Sequence, residues 1–600
     1  MHRFHLALLA AFCVFCGHAS AAAKPNVIIF LADDSGWGDY SFNGNTNLRT
    51  PNIDSLARGG AALDRFYVCS VCAPTRAEFL TGRYHPRGGV RGVSTGLERL
   101  NLDEKTMADA FKAAGYATGA FGKWHNGSQW PFHPNARGFD EYYGFTSGHW
   151  GEYFDPPLEQ NGKLVRGKGF IADDLTGHAL GFIEKNKAGP FFCYVPYNTP
   201  HSPWAVPQEY WQRFKDQPIG LRAKPGDAED LDQTRCALAM MENLDWNVGR
   251  VLKRLDELKL ADNTIVLYFS DNGPNSWRWN GGMKGRKGST DEGSVRSACF
   301  IRWPGGGIPP GTVVKEIAGA IDLLPTLTAL AGVKRVGDKP LDGHNLTNLL
   351  VGAQRRGWPD RTLFSHQNGN VSARSQQYRF DNAGALFDMV ADPGQTKNIA
   401  AEQPEVVAKF AQAVANWRKD VLGQTAPLAP NAKGKGGVGL PPDGRPHPVG
   451  YAEFPITPLP ARDGVAHGGI KRSANAPNSS YFVNWKLPED KLTWDIAVNT
   501  SGNYDVTILY AAADPGSTIE LSFNGSALTG KVAPAWNPPL YTNQDTIPRP
   551  PAESQMKEFR PLHLGTVRLE QGRGPLTLRA LEIPGASVME VRQVVLTLTR

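Results

Sequence analysis

The sequence predicts an α/β domain followed by an all-β sandwich, and three observations carry that prediction. From about residue 25 to 330, apolar runs rich in β-formers alternate with helical patterns, the alternation of an α/β fold. A Pro- and Gly-rich stretch without periodicity, APLAPNAKGKGGVGLPPDGRPHPVG (426–450), then interrupts the chain. Beyond it, segments such as TWDIAVNTSGNYDVTILYAA and MEVRQVVLTLTR alternate apolar and polar positions between Asn-Gly and Gly-Arg-Gly turns, as sandwich strands do. With 600 residues the chain is also longer than one hydrophobic core usually serves.

In chain order, MHRFHLALLAAFCVFCGHASAAAK comes first. Arg3 gives a positive start, Leu6 to Cys16 an apolar run, and Ala19, Ala21 and Ala22 a cleavage zone. Residues 1–22 therefore read as a secretory signal peptide, too short in its apolar part to span a bilayer. Bulky Phe12 and Phe15 before Cys13 and Cys16 argue against a lipoprotein. No later stretch is apolar enough to span a membrane, so an exported protein, periplasmic or extracellular, is expected. Five cysteines remain after it: Cys69, Cys72, Cys193, Cys236 and Cys299. An odd, sparse set is no disulfide framework. Cys69 and Cys72 form a CxxC, a redox pair or half a zinc site by spacing alone, but no second half completes a zinc site. Sixty-four Lys and Arg against 58 Asp and Glu give +6, which suits an anionic substrate, and no basic run marks a nucleic-acid arm.

The most informative runs are NVIIFLADD (26–34), YATGAFGKWH (116–125), PFFCYVPYNTPH (190–201) and NTIVLYFSDNG (263–273). Each opens apolar, as a strand buried on both faces does. Each then breaks into polar residues: Asp33-Asp34, Lys123 with His125, His201, and Asp271-Asn272. Ligands of open α/β sheets gather at the carboxyl ends of strands, so four such ends predict one polar rim. Between the runs, Glu104 to Ala114 reads as a helix ended by Gly115, and 404–422 as another with Val406, Val407, Phe410, Val414 and Trp417 as its buried stripe. The α/β domain is expected over 24–425, with a C-terminal subdomain from about 335. A linker follows over 426–447, then the sandwich over 448–600.

CAPTRAEFLTGR (72–83) puts Cys72 beside the start of a helix whose first turn holds Pro74. Backbone N–H groups and the helix dipole favour negative charge there. Arg76, four residues on, shares the face of Cys72. An electropositive pocket for an anionic ester fits this stretch, and a plain reactive cysteine fits it equally.

CAPTRAEFLTGR resembles the signature of the formylglycine-dependent sulfatases, C-x-P-x-R followed by L-T-G-R. Further stretches resemble the family's motifs in order: ADDSGWGD (32–39), GKWH (122–125), PHSPW (200–204), SDNGP (270–274) and GRKGSTDEGSVR (285–296). The resemblance covers about residues 25–425. It implies an alkaline-phosphatase/sulfatase-like mixed sheet flanked by helices. It implies that Cys72 is oxidised by a formylglycine-generating enzyme to 3-oxoalanine (formylglycine), whose hydrate is the nucleophile. Asp33, Asp34, Asp271 and Asn272, with residue 72, would bind one divalent cation, and an all-oxygen set favours Ca2+ over Mg2+. Lys123 and Lys287 would hold sulfate oxygens, and Arg76 would stabilise the nucleophile. His201 would protonate the leaving alcohol, and His125 would deprotonate the hydrate. Asn126 after GKWH, and Ser294 where the distal motif commonly has glycine, depart from the family pattern; neither is an expected ligand.

Three functions follow. The first is an exported sulfatase acting on aryl sulfates and sulfated saccharides. The second keeps the fold but hydrolyses phosphate or phosphonate esters, and the third is an anionic-polysaccharide binder whose Cys72 stays a thiol. The last segment resembles carbohydrate-binding modules in its W-D-I-A…G-N-Y-D-V run, and a domain that only packs on the enzyme fits as well. His149, Trp150, Trp277 and Arg278, near the motifs, are candidate substrate contacts, with Trp279 beside them.

Overall fold

The computed structural model describes residues 24–352, 358–423 and 443–599. The expected signal peptide and residues 426–442 of the expected linker lie outside the described residues. A ten-stranded mixed sheet forms the centre. Its four middle strands are Thr264–Ser270, Asn26–Ala32, Phe191–Pro196 and Ala117–Lys123, adjacent in that order and all parallel. They are the four apolar runs that end in polar residues, and their carboxyl ends share one rim.

Three of these strands are buried from end to end, which is why they read as unbroken apolar runs rather than alternating ones. Side chains of Asn26–Ala32 divide between two cores, as period-two strands must. Ile28 and Phe30 meet Leu175 and Phe182 of the helix Ile171–Asn186 and Met240 and Leu244 of Leu231–Glu257. Val27, Ile29 and Leu31 meet Phe79, Phe111 and Leu327 on the other face. In the fourth strand Gly122 has φ +143°, and a Cβ there would lie 1.9 Å from the Pro196 carbonyl oxygen. Two neighbouring strand ends can approach this closely only at glycine.

The helix expected from Glu104 starts later, at Met107. Thr106 caps it by accepting from the Asp109 N–H at 3.1 Å, and Asp109 accepts in return from the Thr106 N–H at 2.8 Å. This reciprocal box fixes the start that apolar spacing alone placed too early. Residues 363–388 form a four-stranded antiparallel sheet. Helix Pro404–Leu422 covers it with Phe410 and Trp417.

From His447 onward the chain builds two six-stranded, largely antiparallel sheets around a core that includes Trp485, Trp494, Tyr504 and Ile508. Strand Lys491–Val498 buries every second residue, the pattern of one face inward. The long loop between strands Ser526–Lys531 and Arg560–Leu569 reaches back to the first domain. Gln544 Oε1 accepts from the Tyr153 and Phe154 N–H groups at 2.8 and 2.9 Å, and Arg549 Nη2 donates to Gly151 O at 2.8 Å. Arg592 meets Glu152 through both guanidinium Nη atoms.

Candidate active site

The rim where the four strands end holds a carboxylate cluster. Asp33 and Asp34 follow one strand and Asp271 and Asn272 its neighbour, and all four are fully buried. Asp34 has φ 70°, a left-handed conformation rare for residues other than glycine. The Asp271 carboxylate accepts the Asp34 N–H at 3.2 Å, and Asn272 Nδ2 donates to Asp34 Oδ1 at 2.8 Å. Ligand atoms of Asp33, Asp34, Cys72 and Asp271 all lie within 4.8 Å of one another. Asp33 Oδ1, Asp34 Oδ2 and Asn272 Oδ1 are buried without a hydrogen-bond partner. Three orphaned oxygens in one buried cluster need a counter-charge, and such an oxygen set fits a hard divalent cation. Burial alone would raise the Asp33 carboxyl, but Lys123, His201, Arg76 and Lys287 around it hold it well below the usual carboxylate range. Burial and the charge of Asp33 push Asp271 the other way.

Helix Cys72–Thr81 aims its first residue at this cluster. Val71 is the N-cap, with Cys72 and Pro74 in the first turn. Thr75 pins the turn: its hydroxyl donates to Asp271 O at 2.5 Å and accepts from the Cys69 N–H at 2.8 Å. Arg76 is buried, donating through Nη2 to Asp271 Oδ2 at 2.8 Å and through Nη1 to Lys123 O at 2.8 Å. Lys123 Nζ reaches Asp33 Oδ2 at 2.6 Å; Lys287 Nζ reaches Asp34 Oδ1 at 2.5 Å and stands 3.5 Å from Cys72 Sγ. Burial pushes the Cys72 thiol up to about 12 against the pull of Lys123 and Lys287. The thiol itself is therefore protonated at neutral pH. The CxxC is not a disulfide: both cysteines are free, and Cys69 gathers instead with Glu78 and His85.

Two histidines border the cluster. His125, at φ 67°, bonds the Val93 carbonyl through Nε2 at 2.8 Å and leaves Nδ1 buried and unpartnered. That contact assigns the proton to Nε2 and a free lone pair to Nδ1. His201 bonds the Ser202 carbonyl through Nδ1 and turns Nε2 toward Asp34 Oδ2, 3.5 Å away. Burial lowers both imidazoles, with Lys123 adding to the effect at His125 and Asp34 opposing it at His201.

A family model described as Sulfatase matches residues 25–333. The chain belongs to the sulfatase family. It is thus a sulfuric ester hydrolase by descent. Among similar proteins, human (Homo sapiens) arylsulfatase A is 32% identical over 436 residues, covering 65% of this chain and 82% of the relative. The dog (Canis lupus familiaris) N-acetylgalactosamine-6-sulfatase is 30% identical over 396 residues, covering 60% and 71%. The crystal structure of Ps i-CgsB in complex with k-i-k-neocarrahexaose superposes with a TM-score of 0.59 at 30% identity, covering 67% of this chain and 94% of that one.

In this sulfatase, Asp33, Asp34, Cys72, Arg76, Lys123, His201, Asp271, Asn272 and Lys287 meet at one rim, and His125 stands beside them. His149 joins them through His201, Nδ1 to Nδ1 at 3.4 Å. The other expected substrate contacts stand elsewhere. Arg278 is buried and turned inward, bonded to both Asp39 oxygens, to Ser276 Oγ and to Asp34 O. It braces the Asp34 turn because Asp39 offers it a buried counter-charge. Trp150 stacks on Phe145 and lines a largely apolar cavity of about 440 Å³ shared with the sandwich. Trp277 lies under the Arg286 guanidinium and lines a pocket of about 250 Å³ with Arg222, Lys224 and Met283, as does Trp279. Of the two departures from the family pattern, Asn126 bonds Ala73 O and Glu98 O, tying the His125 turn to the Cys72 helix. Ser294 accepts the Gly273 N–H at 2.7 Å through its carbonyl.

Two supports were missed by the sequence reading. Glu292, inside the distal motif, bonds Tyr67 and pairs with Arg379 and Arg374. Glu553, from the sandwich loop, reaches Ser202 and His149. The first lies within a quoted motif and could have been found there; the second has no local signal.

Proposed function

We propose that this sulfatase is exported and hydrolyses sulfate esters of saccharides, with residue 72 matured to formylglycine and a calcium ion held by Asp33, Asp34, Asp271 and Asn272. The supporting observation is the convergence of two buried cations, Arg76 and Lys123, a half-buried one, Lys287, and an unsatisfied oxygen cluster on residue 72. A bound cation would offset charge on the ester oxygens. Lys123 and Lys287 orient those oxygens, and Arg76 holds the nucleophile's side of the site. A hydrated aldehyde at residue 72 would supply the nucleophile toward sulfur and the second hydroxyl that releases sulfate. His201, bonded to the Ser202 carbonyl through Nδ1, would have to be doubly protonated, with its second proton on Nε2, to deliver a proton to the departing oxygen. His125, whose Nδ1 is free, would take a proton from the hydrate. A saccharide substrate is supported by the relative that acts on N-acetylgalactosamine 6-sulfate and by the neighbour bound to neocarrahexaose.

Two measurements test this. Mass spectrometry of the peptide Phe66 to Arg76 should show aldehyde in place of thiol when the chain is made in a host with the maturing enzyme. Turnover of paired aryl sulfate and aryl phosphate esters should favour sulfate; much faster phosphate turnover would reject the reading.

A further inference from the structure

Glu553 stands in the sandwich loop, yet its carboxylate ends among the histidines of the sulfatase rim. Arg549, buried in the same loop, donates through Nη1 to Ser554 O at 2.6 Å and through Nη2 to Gly151 O at 2.8 Å. One guanidinium thus ties the backbone next to Glu553 to the backbone two residues from His149. Gln544 and Thr546 add bonds to Tyr153, Phe154, Trp204 and Val206. A loop held at this many points brings its carboxylate to a fixed place.

His201 shows what that carboxylate serves. Among the described residues, His201 Nδ1 has two polar neighbours: the Ser202 carbonyl oxygen, and His149 Nδ1 at 3.4 Å. Glu553 reaches both residues that supply them. One of its oxygens accepts from Ser202 Oγ. The other, Oε2, faces His149 Nε2 at 3.5 Å. The proton positions follow from these neighbours. His201 Nδ1 lies against a carbonyl and so carries hydrogen, which makes His149 Nδ1 a lone pair and puts the His149 hydrogen on Nε2. That N–H faces the Glu553 oxygen directly, and both atoms are buried without another hydrogen-bond partner. At 3.5 Å the contact is longer than a full hydrogen bond, and closing it by about half an ångström satisfies a buried donor and a buried acceptor together.

We propose that Glu553 is a positioning residue for His201. By gripping His149 and Ser202 at once, it fixes the imidazole so that Nε2, on the far side of the ring, faces the rim beside Asp34. The sandwich thus completes the acid half of the sulfatase site. This rests on the reading of His201 as proton donor to the leaving oxygen. No bond is made or broken at Glu553; its effect passes through the angle at which His201 meets that oxygen.

An ester with a good leaving group needs little help from an acid, and one with a poor leaving group needs much. The test therefore uses the full matured chain and a series of aryl sulfates running from nitrophenyl to methoxyphenyl. Glu553→Ala should lose roughly 10- to 100-fold in kcat/KM on the poorest leaving group and stay within about threefold on the nitrophenyl ester, so that rate depends more steeply on leaving-group acidity. Glu553→Gln, whose amide oxygen can still accept from His149, should bring the slope back near the parent's. If the alanine variant does not fold, Glu553→Asp, which withdraws the carboxylate by one methylene, should steepen the slope in the same direction. An equal loss on every ester would mark a purely structural role and overturn the proposal, as would an unchanged slope. His201→Ala separates this from the reading beneath it, and should steepen the slope at least as much as Glu553→Ala. A flat response there would reject His201 as the acid; a steep one beside an unchanged Glu553→Ala would reject the positioning role alone.

Discussion

Asp34 shows how much one residue is asked to do here. Its backbone is left-handed, its N–H is held by Asp271, its carbonyl by Arg278, one carboxylate oxygen by Lys287 and Asn272, and the other is left bare. Asp tolerates that backbone better than most residues, and the surrounding bonds over-determine it, as strained functional residues require. Two predictions belong at this scale. Lys287→Ala should lower kcat by about 100- to 1000-fold, as removal of one preorganised cationic donor does, and should lower the melting temperature as well, because buried Asp34 loses its partner. Calcium should raise the melting temperature in proportion to the logarithm of its excess over the Kd, about 2.7 kcal/mol at a hundredfold excess. Asp34→Asn should abolish that increment in differential scanning calorimetry, and a full increment in the variant would remove Asp34 from the ligand set. The pairs Asp33–Asp34 and Asp271–Asn272 were legible because each ends an unbroken apolar run. The inward turn of Arg278 was not, because its partner Asp39 is fixed only by the folded loop.

At the scale of elements, the four parallel strands were legible as runs and their polar ends as one rim, since burial on both faces writes itself into composition. The position of Glu292 was legible inside the distal motif, but its arginine partners were not. Glu292 follows Lys287 by five residues and is gripped by Arg379 and Arg374 of the small four-stranded sheet. Burial alone would raise its carboxyl, but those arginines and Arg296 hold it at about 2. Because the folded value lies below the unfolded one, this stabilisation is complete above about pH 5 and fades as pH falls toward 2. Glu292→Gln should therefore cost about 3 kcal/mol at neutral pH, measured by urea unfolding. The gap between variant and parent should close on acidification; a gap independent of pH would mean that the charge on Glu292 is not the cause.

For the whole molecule, the alternation of strands foretold the sandwich, while its docking could not be read. The docking side chains lie more than three hundred residues from what they touch. Arg592 and Glu152 meet with the glutamate 2% exposed, so separating them leaves a buried charge. Arg592→Ala should cost roughly 2–5 kcal/mol of coupling between the two parts. Calorimetry should then resolve two transitions where the parent shows one, and a single unshifted transition would mean the interface holds without this pair.

One feature reaches beyond the resting enzyme. Cys72 is 2% exposed, walled in by a helix start, two lysines and the ends of strands separated by more than two hundred residues. The finished fold shields that sulfur, so the maturation proposed above would have to precede closure of the strands. Chain folded without the maturing enzyme should therefore keep its thiol when the enzyme is added afterwards, and mass spectrometry of the peptide Phe66 to Arg76 checks this.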